Sequence, residues 1–451
     1  MKEHVAGPAS VSPDGKQIAV IQANPALRRD ELYVSAVDGS NNQLIAARVY
    51  PDHFSWPSTP AWSNDGTRIL CAIEGSDAQG FYSYPMAVTL RDRSMRILKK
   101  PRWQYIEQAT WTGDGHGVLI IAREPDLAFL HLWFLPFPSG PPRRLVNDLS
   151  DYSGLTVTAD TKALVSVQFQ TLANVYVVTA SNLDRAIQIT PGSGRYFDLR
   201  WTPQGKLLYS SDASGAAEIW TMNADGTGQR ELTSGPGRSY APNSSPSGSA
   251  IIFHSNRTGS WNIWKMDADG NRLQQLTFGP QDSNWPQFSP DGNSIVYHHT
   301  GAEATWNLWR VPLSGGKPEQ LTSQLSVMPD VSPRDGSIAC WFSEDAAKPR
   351  CQLAVLRPGG GQPIRTFAVS TTAATDSAIR WTPDGKGITF IDNFGGIGNI
   401  GLQPVDGGAS RPLTHFTSGQ IYSFDWSKDG RLAYSRGLST SDVVLAREIH
   451  R

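Results

Sequence analysis

The stretch Trp285-Pro286-Gln287-Phe288-Ser289-Pro290-Asp291-Gly292-Asn293-Ser294-Ile295-Val296-Tyr297-His298 decides the fold. Pro286-Gln287-Phe288 reads as a strand that ends in a tight turn. In Ser289-Pro290-Asp291-Gly292 the proline sets φ at the first corner and the glycine takes the position that needs a positive φ. Ser294 to His298 then reads as a second strand. Asn307-Leu308-Trp309-Arg310-Val311, alternating in polarity, reads as a third. Ser314-Gly315-Gly316 turns the chain, and Glu319-Gln320-Leu321-Thr322 makes a short fourth strand.

Working outward, the preceding unit repeats this register. Ile251-Ile252-Phe253-His254 is followed by Asn262-Ile263-Trp264-Lys265-Met266, the turn Asp267-Ala268-Asp269-Gly270, and Gln275-Leu276-Thr277. Another copy runs through Leu207-Leu208-Tyr209, Ile219-Trp220-Thr221-Met222 and Leu232-Thr233. The turn itself recurs at Ser12, Ser63, Thr112, a degraded Thr158, Thr202, Ser245, Ser289, Ser332, Thr382 and Ser427, at spacings of about 43 to 51 residues. That period belongs to propeller blades. A lone four-stranded sheet has two faces and too little core, whereas blades packed around an axis bury both faces and shorten their exposed edges. The expected fold is therefore all-β: a β-propeller of four-stranded blades with about ten repeat units. Trp62, Trp111, Trp201, Trp381 and Trp426, each just before a turn, and Trp220, Trp264 and Trp309 on third strands are expected in the core between blades.

Ring closure divides the chain. The last unit ends at Asp442-Val443-Val444-Leu445 without a fourth strand of its own, and Ala186-Ile187-Gln188-Ile189-Thr190 looks like an isolated fourth strand. If it completes the last blade, residues 185–451 form a six-bladed propeller and residues 1–184 a partial propeller of four units. One large ring is the alternative.

Composition narrows the function classes. Of 451 residues, 39% are hydrophobic and 18% charged, which is globular; 40 Lys and Arg against 41 Asp and Glu leave no basic field for nucleic acid or anionic lipid. No apolar run reaches the length of a membrane span, and Met1 to Val5 begin no signal peptide. No membrane insertion is expected. Cys71, Cys340 and Cys351 are too few for a disulfide framework; Cys340 and Cys351 flank one hairpin, where two buried thiols fit better than a bridge.

Pro286 to Gly292, Ser255-Asn256-Arg257, Ile263 to Gly270 and Leu276-Thr277 resemble the TolB-like propeller repeat, a relative of the WD repeat. The resemblance covers nearly the whole chain. A narrower likeness lies in Ile421 to Gly430, Ser435-Arg436-Gly437 and Thr440 to Leu445, with Asn147 to Tyr152 and Val157 to Asp160. These stretches are similar to the propeller region that follows a serine/threonine kinase or winged-helix domain in large bacterial signalling proteins. The likeness implies a sensor or interaction module, often outside the membrane, with further repeats upstream. It implies a periplasmic or extracytoplasmic location for a piece of such a protein and a cytoplasmic one otherwise.

Catalytic signatures are absent from the sequence. There is no Gly-x-Ser-x-Gly elbow and no kinase set of Gly-rich loop, His-Arg-Asp and Asp-Phe-Gly. Gly192-Ser193-Gly194 precedes a strand rather than a helix and makes no phosphate cradle. His254 and His298 occupy equivalent strand ends beside His299, but a zinc site wants a third ligand. First-strand positions facing a channel read as mostly apolar or neutral polar, so paired carboxylates for lyase or glycosidase chemistry are not expected. No catalytic residue, metal or cofactor is expected. What remains is a surface made by loops joining strand four to the next strand one and strand two to strand three. It would display Arg195, Tyr196, Phe197, Arg238, Tyr240, Asn256, Arg257, Trp261, Asn284 and Trp285, of residue types enriched at binding hot spots. The expected function is a non-catalytic, monomeric scaffold or sensor binding a protein or peptide partner. The alternative is an accessory propeller of a peptidase or of a TolB-type periplasmic translocation system.

Overall fold

The repeat turn is built from its own side chains. Ser289 Oγ donates to Asp291 Oδ1 at 2.5 Å, Asp291 Oδ1 accepts the Asn293 N–H at 3.1 Å, and Ser289 Oγ accepts the Ser294 N–H at 3.0 Å. Gly292 closes it with φ 72° and an N–H donated to Ser289 O at 2.9 Å. The same bonds hold Ser12-Asp14, Ser63-Asp65, Thr112-Asp114, Thr382-Asp384 and Ser427-Asp429. Hydroxyl and carboxylate thus satisfy the backbone donors that a two-strand corner leaves over.

The computed structural model describes residues 8–447 apart from 25–26, 56–57, 78–79, 99–101, 159, 161, 180–184, 192–193, 302–304, 345–350, 370–372, 374 and 376. Gly192 and Ser193 lie outside the described residues. The described secondary structure is all strand, in antiparallel sheets that are mostly four-stranded, a β-propeller architecture. The chain forms two compact units: Met1–Gln170 with Thr440–Arg451, and Thr171–Ser439.

Unit 2 (Thr171–Ser439) holds six four-stranded sheets among its described residues. Blade 1 is Phe197–Trp201, Lys206–Ser211, Glu218–Asn223 and Arg230–Glu231. Blades 2 to 5 repeat that order, with first strands Ser239–Ser244, Ser283–Phe288, Leu325–Val331 and Arg380–Trp381. Each of these first strands lies against the next. Gln420–Trp426 of blade 6 lies against Phe197–Trp201, so the ring closes.

Blade 6 is assembled from both parts of the chain. Its order is Gln420–Trp426, then 431–439, then 171–179, then Ile187–Gln188. Ile187 and Gln188 pair with Val177 and Tyr176, so the fourth strand is the expected one. The third strand differs from the expectation that 442–445 would supply it. Residues 171–179 do so, and 440–447 pass into unit 1. The division accordingly falls at 170/171 rather than 184/185. Strands Ala163–Thr179 and Arg431–Arg447, 17 residues each, are too long for one blade and serve a sheet at either end.

The Leu-Thr ends explain themselves in the same way. Thr190, Thr233, Thr277, Thr322 and Thr414 each accept, through Oγ1, the N–H of a third-strand residue: Val175, Ile219, Ile263, Leu308 and Ile400, at 2.8–2.9 Å. Threonine completes a strand only two residues long. The core lies between blades: Leu207, Tyr209, Trp201 and Ala433 pack across blades 1 and 6, and Trp341, Trp381 and Phe390 across blades 4 and 5. Cys340 and Cys351 sit in different clusters on opposite faces of their sheet, both as free thiols.

Unit 1 holds four sheets among its described residues, with first strands Ser10–Val11, Ala61–Trp62, Tyr105–Trp111 and Asp151–Val157. Trp62 Nε1 donates to Ser10 O at 3.3 Å and Trp111 Nε1 to Ala61 O at 3.1 Å, so each tryptophan ties its blade to the one before.

Candidate functional site

Two features of the first strands in unit 2 shape its central channel. The residue two places before the Ser or Thr of each turn points inward, giving a ring of Arg200, Asn243, Gln287, Asp330, Arg380 and Asp425. Arg200, from blade 1, reaches across the axis to Asp330 of blade 4 at 2.9 Å, donates to Gln287 of blade 3, and pairs with Asp425 of blade 6 at 3.3 Å. Arg380 Nε lies 3.3 Å from Asp425 Oδ1. Each carboxylate also fastens the next blade: Asp425 Oδ2 accepts the Trp201 N–H at 2.7 Å and Asp330 Oδ2 the Trp381 N–H at 2.8 Å.

The arginines, the aspartates and Gln287 are more than nine-tenths buried, and Asn243 is half-buried. Burial acts to lower the Arg200 value, but Asp330 and Asp425 outweigh it and the net shift is upward. Burial, with Arg200 beside it, pulls Arg380 down to about 10. Burial pushes Asp425 upward against the two arginines. The expectation of an apolar or neutral channel is therefore corrected. Spacing from the turn marked these positions, but the mix of Arg, Asn, Gln and Asp at one register hid them as a set.

The second feature lies two residues earlier, where Asp198, Ala241, Trp285 and Met328 have φ of 51–55°. Each sits in a bulge where the register shifts, as between Asn284 and Gln287. The freed N–H groups find acceptors on the preceding blade: Ala241 N donates to Asp198 Oδ2 at 3.0 Å and Ser210 Oγ at 3.2 Å, Trp285 N to His254 Nδ1 at 3.2 Å, and Met328 N to His298 Nδ1 at 3.2 Å. His254 and His298 are thus hydrogen-bond acceptors at seams. Among the described residues, no three His, Cys, Asp or Glu side chains are placed to hold a metal. Burial pulls His254 down to about 3 and His298 well below its ordinary range.

On the side of the strand four-to-one loops the channel opens into a cavity of about 530 Å³. Of the sequence-predicted residues, Arg195, Phe197, Tyr240 and Trp285 line it, joined by Asp198, His254, Asn393, Gln420 and Tyr422. Arg195 pairs with Asp212 at 3.1 Å and lies over the Phe197 ring at 5.2 Å. Tyr240, His254, Trp261 and Trp285 form one aromatic wall with ring centroids 5.2–6.0 Å apart.

The other predicted residues do not line the cavity. Tyr196 is buried against Tyr209 at 5.4 Å because it fills the core between blades 1 and 6. Arg238 is buried with its guanidinium over Trp261, and Asn256 accepts the Arg238 N–H at 2.7 Å. Arg257 lies over Phe253 and Trp264 and bonds Ser255 and Ser239, each at 3.1 Å. Asn284 stands opposite His298 in the blade 3 ladder, its Oδ1 buried. On the turn side a second cavity, of about 400 Å³, opens over the polar ring and is rimmed by Pro203, Pro246, Pro290, Pro333, Pro383 and Lys428.

Residues 156–360 match the family model described as PD40, TolB beta propeller domain. An uncharacterized protein of Agrobacterium fabrum (strain C58 / ATCC 33970) is 27% identical over 204 residues, 43% of this chain. The match spans 64% of that relative's own length. Among solved structures, TolB from Acinetobacter baumannii is 14% identical, with 84% of this chain and 82% of that chain covered, at a TM-score of 0.40. A puromycin-hydrolyzing peptidase of Mycobacterium tuberculosis is 13% identical, with 95% and 57% covered, at a TM-score of 0.38. The TolB propeller model thus matches residues 156–360, a little under half of a chain whose described residues fold as a β-propeller.

Proposed function

We propose that unit 2 is a non-catalytic recognition module that takes a segment of a protein or peptide partner into the cavity lined by Arg195, Tyr240, Trp285 and Tyr422. The observation that carries this reading is the aromatic wall. Large, half-buried rings held by packing lose little side-chain entropy on binding and bury much area. The partner segment stops at the polar ring, because Arg200 crosses the axis to Asp330. The ring carboxylates act as fasteners: each is held by a guanidinium and a backbone N–H, which leaves no free base for general acid–base work.

In this reading the chain is a monomeric sensor region of the type found in bacterial signalling proteins. The match of residues 156–360 to the TolB propeller model favours a second reading, an accessory part of a periplasmic translocation system. No helix among the described residues is long and apolar enough to cross a membrane.

Selection of peptides from a displayed library by the full chain tests the site. Tyr240→Ala and Trp285→Ala each weaken selected peptides at least about tenfold, the loss of one hot-spot side chain. Lys428→Ala, on the turn side, leaves affinity unchanged. Equal affinity for wild type and both aromatic variants would overturn the choice of cavity.

A further inference from the structure

We propose that the turn-side mouth of the unit 2 channel is a second binding site, for a small neutral ligand that presents a carboxamide. The argument begins with Arg200, which can only donate. Its bond to Gln287 therefore fixes that amide with Oε1 toward the guanidinium. Asn243 Nδ2 donates to the same Oε1 at 2.8 Å, which fixes the second amide as well. Two groups are left without a partner: Gln287 Nε2, a donor, and Asn243 Oδ1, an acceptor. Gln287 is only 5% exposed, and both residues line the 400 Å³ cavity. Gln287 is buried and Asn243 half-buried, and a ligand entering the cavity meets this unpartnered donor and acceptor together.

A primary amide is the complement. Its carbonyl accepts from Gln287 Nε2 while its N–H donates to Asn243 Oδ1. Charge argues for a neutral ligand, because in the ring Arg200 and Arg380 stand against Asp330 and Asp425 and leave no excess of either sign. The proline rim and Phe288 supply apolar walls for the rest of the ligand. Exposed Lys428 is the one feature that would favour an anion, and the test separates that case. The site is independent of the aromatic cavity, because its groups belong to the ring and the turns.

The experiment is calorimetric titration of the full chain with N-acetylglutamine methylamide, N-acetylglutamate methylamide and glucose. The glutamine probe binds saturably, and the isosteric glutamate probe binds at least about tenfold more weakly, as expected when one hydrogen bond of the pair is lost and its buried partner is left unmade. Gln287→Glu keeps the acceptor for Arg200 and removes the Nε2 donor. Asn243→Leu removes the acceptor. Each variant keeps a cooperative melt and loses about tenfold in affinity for the glutamine probe. Equal or tighter binding of the glutamate probe would assign the mouth to anions, and tighter binding of glucose to hydroxyls. Either result, like no saturable binding of any probe or wild-type affinity in both variants, overturns the proposal.

Discussion

Acidification should loosen unit 2 through two histidines. His254 and His298 are 6% and 4% exposed, and each Nδ1 accepts a backbone N–H from the next blade, so each ring must be neutral to hold its seam. Around His254 stand Arg238, a cation, with Tyr240, Trp261 and Trp285. Around His298 stand His254 and His299, with Trp306. No carboxylate is among these groups to stabilise a proton. The folded value of His254, about 3, lies below the ordinary 6.5, and His298 is shifted the same way. A depressed value means that the unfolded chain takes up the proton first. The stabilisation is therefore complete above about pH 6.5 and is lost as pH falls toward the folded value.

At pH 5, about 1.5 units below 6.5, His254 costs roughly 2 kcal/mol relative to pH 7, and His298 adds a loss of the same sign. Ser210 supplies the model for a substitution, since its hydroxyl, which does not titrate, shares the Ala241 N–H with Asp198 Oδ2 at the equivalent position. Urea unfolding followed by tryptophan fluorescence at pH 7 and pH 5 should show wild type losing at least about 2 kcal/mol more than the His254→Ser, His298→Ser double variant. The absolute stability of the variant does not enter this difference. Equal losses for the two proteins would refute the assignment of these imidazoles as neutral seam acceptors.

Other perturbations read out the ring and its closure. Arg200→Ala leaves Asp330 and Asp425 buried without their shared cation and should cost about 3–5 kcal/mol in chemical denaturation. Ala241→Gly relieves a left-handed backbone at φ 51° and should be neutral or stabilising by up to about 1 kcal/mol in the same assay. Gly437→Ala should have the opposite sign. A Cβ there would lie 1.9 Å from Leu172 O and 2.6 Å from Ala173 Cα, so blade 6 must open, which hydrogen exchange at 171–179 would detect.

The blades were legible in the chain because their determinants are local. Ser289, Pro290, Asp291 and Gly292 build their corner from bonds within six residues, and Thr322 reaches back only to Leu308. Such a pattern fixes strand order and turn placement wherever it occurs. The aromatic residues Tyr240 and Trp285 were legible as candidates because both fall just after a fourth strand, where the repeat places the start of the next blade.

Closure and the channel were decided by tertiary structure. Whether 171–179 or 442–445 completes blade 6 depends on pairing between segments some 260 residues apart, and both read alike as strands. The ring of Arg200, Asn243, Gln287, Asp330, Arg380 and Asp425 is held by bonds across an axis, and no single repeat contains a charge together with its partner. A repeat encodes what one blade does with its own backbone. The chemistry of the axis arises only when six blades bring unlike side chains to one point, where burial makes each charge depend on the others.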